Sequence, residues 1–86
     1  MRKAVVLITG ANGEIGHGLI THLAKQSDVN ILALDVQPLD ESLRPLVMQF
    51  IQGDILDTML LGRMVVEYEI RTIFHLASIL STKKNM

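Results

Sequence analysis

The chain has 86 residues, a formal net charge of -1, no cysteine, 49 % hydrophobic and 20 % charged residues, a composition too apolar for disorder and too mixed for a fibre. Eight Lys and Arg stand against nine Asp and Glu, with one Tyr and two Phe. That leaves neither the basic footprint that holds a phosphate backbone nor a platform for stacked bases, which argues against nucleic acid as the main partner.

Arg2 and Lys3 precede a short apolar run that ends at Ile8. It is too short for the roughly 7–15 apolar residues of a signal peptide and far from the ~20 of a membrane span, so a cytoplasmic protein without a membrane partner is expected. Residues 3–8 are instead an unbroken β-branched and aliphatic run, the pattern of a strand buried on both faces of a parallel sheet. The turn-forming cluster Thr9-Gly10-Ala11-Asn12-Gly13 ends it. The period then changes: Ile15, Leu19, Ile20, Leu23 and Ala24 fall on one stripe, which predicts a helix over about 13–26. Residues 31–34 form a second buried strand ending at Asp35. Pro38 and Pro45 bracket a polar stretch that predicts a loop with a helical turn. A third strand is expected over 47–52, closed by Gly53-Asp54. Asp57 is placed to N-cap a second helix with Leu60, Leu61, Met64, Val65 and Tyr68 as its apolar stripe. A fourth strand follows over 70–76, and Ala77 opens a loop leading to another helix.

Strands alternating with helices of this length imply parallel strands joined by right-handed crossovers, an α/β fold. Gly10, Gly13 and Gly16 stand three apart where the first strand passes into the first helix. That spacing suits a tight exit turn, close approach of a pyrophosphate to backbone N–H groups, and close packing of helix on strand. A tight turn without ligand would use the same glycines. Asp35, however, ends the second strand 19 residues after Gly16, the offset of the acid that accepts both ribose hydroxyls of an adenosine. Val36 and Gln37 follow it rather than Arg or Lys, which favours NAD over NADP. No Gly-Lys-Ser/Thr follows the glycines, so a P-loop is excluded.

The stretch Thr9-Gly10-Ala11-Asn12-Gly13-Glu14-Ile15-Gly16 resembles the Thr-Gly-x-x-Gly-x-x-Gly turn of short-chain dehydrogenases/reductases, in particular their extended branch of NAD-dependent epimerases and dehydratases. Asp35 matches that family's ribose acid. Gly53-Asp54-Ile55 resembles its Gly-Asp-Ile/Leu, and Phe74-His75-Leu76-Ala77-Ser78 its His-Leu-Ala-Ala/Ser. The resemblance implies a partial Rossmann fold with a parallel sheet of about four strands and flanking helices. It implies cofactor contacts from Gly10, Asn12, Gly13, Glu14, Ile15 and Gly16 at the phosphates, with Asp35 at the ribose. Asp54 and Ile55 are implied at the adenine, and Leu76, Ala77 and Ser78 beside the cofactor at the fourth strand end.

The family's hydride transfer uses a Tyr-x-x-x-Lys pair beyond the fourth strand. Here the one tyrosine is Tyr68 and Thr72 stands four residues on, so Tyr68 is expected to pack and no catalytic residue is assigned. His17, His22 and His75 lack zinc-site spacing, and no metal is expected. Residues 1–86 are accordingly expected to be the N-terminal part of a NAD(P)-binding domain, with the substrate domain absent. The parent would be an epimerase, dehydratase or dehydrogenase acting on a hydroxyl carbon, with the small-molecule substrate bound only by the full-length protein. A non-catalytic, redox-sensing NAD module or a truncated remnant is the alternative. An uncovered fourth strand would also offer an apolar edge for homo-oligomer formation.

Overall fold

The aliphatic run near the N-terminus becomes the strand around which the others assemble. In the computed structural model, which describes residues 4–26 and 28–76, the elements are β1 (Ala4–Thr9), α1 (Glu14–Leu23), β2 (Val29–Asp35), a 3₁₀ turn at Arg44–Leu46, β3 (Gln49–Gln52), α2 (Thr58–Tyr68) and β4 (Ile70–His75). The strands form one sheet in the order β3-β2-β1-β4, with every neighbouring pair parallel. This is the partial Rossmann-like α/β fold that the alternating elements predict. β4 meets β1 with a break in register: Val5 pairs with Ile70 but Val6 with Thr72.

Successive side chains of a strand point to opposite faces, so strands covered on both sides need apolar residues at every position. β1 and β2 meet that demand. Val6, Ile8, Ile31 and Ala33 pack on one face with Ile20 of α1 and with Leu39 and Leu43 from the β2–β3 connection. Leu7, Leu32 and Leu34 pack on the other face with Met64 of α2. The helical turn expected between the prolines forms further on, as the 3₁₀ turn Arg44–Leu46, which takes in Pro45 as its second residue.

Several boundaries and two buried positions differ from the expectation. α1 stops at Leu23, and its last turn tightens as Lys25 N–H donates to the His22 carbonyl (3.3 Å) and Gln26 N–H to that of Leu23 (2.9 Å). β2 begins earlier, at Val29. β3 begins later, at Gln49, because the 3₁₀ turn ends only at Leu46. Ile15, expected on the buried stripe, is 57 % exposed because it sits in the first turn of α1, one position before Gly16, which is the residue that faces the preceding turn. Val65, likewise expected to be buried, is 43 % exposed: it lies about 100° around the helix from Met64, beyond the narrow contact line of α2. Tyr68 packs against the α2-side cluster, as expected. Among the described residues no helix is long and apolar enough to cross a membrane.

Candidate functional site

The turn after β1 is held almost entirely by backbone. Gly10 adopts φ 69°, a left-handed conformation that costs a glycine nothing but strains other residues. That geometry aims the Gly10 N–H at the Leu34 carbonyl (2.9 Å) and lets the Ala11 N–H share the same oxygen (3.3 Å). Ala11 is completely buried. A Cβ on Gly16 would overlap the Ala11 backbone, so α1 is pressed onto the turn to a distance that only glycine allows. Gly13 is the N-cap of α1 and offers no side-chain cap. The first N–H groups of a helix have no intrahelical acceptor, and with the helix dipole they make an electropositive end suited to an anion.

Asp35 closes β2 directly beside this turn. Its Oδ2 accepts the Asn12 N–H and its Oδ1 accepts the Gln37 N–H, both at 2.9 Å. A carboxylate has about four lone-pair positions, so each oxygen keeps one for a ligand hydroxyl. The Asn12 side chain continues the link: its Oδ1 accepts the Asp40 N–H at 3.0 Å. Asp40 in turn accepts the N–H and the hydroxyl of Ser42, each at 2.9 Å. The backbone bond from Ser42, then its hydroxyl bond, hold the Asp40 carboxyl below the usual carboxylate range; slight desolvation opposes them and the nearby His17 adds to them.

A cleft of about 330 Å³ opens at the C-terminal edge of the sheet, lined by the ends of all four strands. Thr9 and Gly10 contribute from β1, Asp35 and Val36 from β2, Asp54 to Leu56 from beyond β3, and His75 from β4. In open α/β sheets ligands bind at this edge, where the connections diverge to opposite sides; here β2 and β4 diverge from β1. The Gly53 N–H donates to the Asp35 carbonyl (3.0 Å) and the Gln52 amide to that of Val36 (3.0 Å), joining the two neighbouring strand ends. Asp54 turns its carboxylate back onto the Leu56 N–H (2.9 Å). Asp57 N-caps α2 by accepting the Leu60 N–H (3.1 Å), as its position predicts.

The structure therefore brings Gly10, Asp35, Asp54 and Ile55 into one cleft. It sets Asn12, Gly13, Glu14, Ile15 and Gly16 at the adjoining turn and helix start. The side chains of Glu14 and Ile15 are exposed, so their backbone N–H groups are what they offer to the helix end. Leu76 is buried in the α1-side core, and Ala77 and Ser78 lie outside the described residues. Residue spacing did not single out Thr9, Val36, Leu56 and His75 as lining residues. For Thr9, Val36 and His75 the available signal was their place at a strand end; Leu56, four residues beyond β3, carried none. Thr9, only 1 % exposed, bonds the His75 ring through Oγ1 and Nδ1 at 3.1 Å. Among the described residues no group of His, Asp and Glu could hold a metal ion.

The model of the NAD dependent epimerase/dehydratase family matches residues 6–86. Among curated proteins none matches the chain at a significant level. Of the solved structures, dTDP-glucose 4,6-dehydratase from Bacillus anthracis in complex with NAD superposes with a TM-score of 0.72 at 19 % identity, covering 84 % of this chain and 26 % of that one. MoeE5 in complex with UDP-glucuronic acid and NAD is similar at 34 % identity and TM-score 0.64, over 84 % of this chain and 22 % of that one. L-threonine dehydrogenase from Clostridium difficile is similar at 26 % identity and TM-score 0.66, over 87 % and 24 %. The chain spans about a quarter of the length of these structures.

Proposed function

Since the chain belongs to the NAD dependent epimerase/dehydratase family, we propose that residues 1–86 are the N-terminal, NAD-binding part of an enzyme that acts on a hydroxyl carbon. The observation that carries this is Asp35, held against the glycine turn with one acceptor position left on each oxygen. Two free acceptors suit the two hydroxyls of an adenosine ribose, and a carboxylate there would repel a 2′-phosphate. NAD therefore fits better than NADP.

The rest of the cleft fits the same group. The bare backbone of the turn and the uncapped end of α1 suit a pyrophosphate. The apolar Val36, Ile55 and Leu56 suit an adenine ring, with the Asp54 carboxylate at its edge. On this reading Gly10, Asn12, Gly13, Glu14, Ile15 and Gly16 serve the phosphates, and the family resemblance assigns the far half of the cofactor to Leu76, Ala77 and Ser78. Bound NAD would supply a hydride acceptor for oxidation of a carbinol carbon. This chain's own work is to bind and orient. Its single tyrosine, Tyr68, ends α2, packs against the sheet and is followed four residues later by Thr72, so the proton-transfer pair and the substrate pocket are assigned to the remainder of a longer protein. Substrate proposals run from a sugar nucleotide to a small hydroxy compound, spanning the names of the structures it resembles.

The test is calorimetric titration of the full chain with NAD, beside Asp35→Ala. Wild type should bind, and the variant should lose about 1–3 kcal/mol, the scale of hydrogen bonds to a charged acceptor, or roughly 5- to 150-fold in affinity. Equal affinities, or no binding by a folded wild type, would overturn the proposal.

A further inference from the structure

We infer that Asn12 is a positioning residue: its side-chain oxygen holds residues 36–43 against the glycine turn and so presets the Asp35 carboxylate and the Val36 wall for the adenosine end of the ligand. This rests on the NAD-binding proposal above.

Asn12 holds the segment at two points. Its backbone N–H donates to Asp35 Oδ2 where the segment begins, at 2.9 Å. Its Oδ1 accepts the Asp40 N–H five residues later, at 3.0 Å. Between them the Gln37 N–H bonds the other Asp35 oxygen, and Asp40 folds its own carboxylate onto Ser42. On the inner side, Leu39 and Leu43 are buried, 3 % and 1 % exposed, in the α1-side core. The segment is thus anchored from below by two leucines, at Val36 by the Gln52 amide on its carbonyl (3.0 Å) and at Asp40 by the Asn12 amide. Val36, which lines the cleft, is 55 % exposed, and no core packing holds its side chain in place. A residue here must end in an acceptor oxygen to reach the Asp40 N–H, and replacing Asn12 by alanine removes that oxygen while leaving the backbone bond to Asp35 available.

The experiment compares wild type, Asn12→Ala and Asn12→Asp in the full chain, reading hydrogen exchange at the Asp40 amide and NAD affinity in parallel. Asn12→Ala should speed exchange at Asp40 and weaken NAD by about three- to tenfold, the scale of one hydrogen bond. Asn12→Asp, which keeps an acceptor oxygen at the same reach, should restore slow exchange. Unchanged exchange in Asn12→Ala overturns the clamp, and faster exchange with unchanged NAD affinity overturns its positioning role. A folded wild type that shows the expected exchange pattern but binds no NAD overturns the cofactor assignment instead, which separates the two failures.

Discussion

The two faces of the sheet draw on the same strands and are covered differently. On the α1 side, Val6, Ile8, Ile31 and Ala33 are sealed by a helix and also by Leu39 and Leu43 from the β2–β3 connection. On the α2 side, Leu7, Leu32 and Leu34 meet Met64 as the one fully buried residue of the covering helix. That helix leaves Met59 and Val66 each 80 % exposed. The better-sealed face is also the one that carries the glycine turn, since Ala11 belongs to its core. The glycine turn therefore rests on packed core through Ala11, and the connection that completes this core with Leu39 and Leu43 follows directly on Asp35.

The largest expected effect comes from Gly16→Ala. A Cβ there meets the Ala11 backbone, which has no rotamer with which to yield. The variant should lose about 3 kcal/mol or more, at the upper end of overpacking costs, together with NAD binding; an unchanged melting temperature would show that the turn is softer than its packing implies. A matched pair of truncations sharpens the contrast between faces. Leu43→Ala and Met64→Ala each remove a buried side chain, within the usual range of about 2–5 kcal/mol. Leu43→Ala should be the costlier and should also weaken NAD, because it loosens residues 36–43. Met64→Ala should leave the affinity of the folded molecules unchanged. Equal losses of NAD affinity in the pair would break the distinction between the faces.

The smallest effect concerns acid. Asp40 titrates below its ordinary value of 3.8 through its bonds to Ser42. A carboxyl with a depressed folded pKa contributes stability that is complete above the unfolded value and is lost as pH falls through the folded one. Protection of the Ser42 amide, relative to its intrinsic exchange rate, should therefore fall only below about pH 4, the unfolded Asp value, and a loss of protection already at pH 6 would assign the ordering of this loop to another group.

Much of this architecture was legible in residue order. The unbroken apolar runs of β1 and β2 announced strands covered on both sides, and both are. Asp57 read as an N-cap and accepts the Leu60 N–H. The offset from Gly16 to Asp35 anticipated a carboxylate beside the turn, and its oxygen lies 2.9 Å from the Asn12 nitrogen. Periodicity misled at Ile15 and Val65, because a repeat of 3.6 residues identifies an apolar side but not how wide a strip the sheet below will cover. The edge strand was anticipated as well: β4 ends the sheet among the described residues, and Arg71, Thr72 and Ile73 are exposed.

The sequence by itself determined the order and kind of the elements, the glycine turn and the cap of α2. Each of these depends on backbone preferences and side-chain periodicity within a few residues. Only the tertiary structure decided which strand ends share a cleft, that Thr9 bonds His75 across 66 positions of chain, and that Asn12 reaches Asp40 across 28. Those contacts follow from parallel strand register and crossover direction, which bring together residues whose local patterns carry no mark of one another.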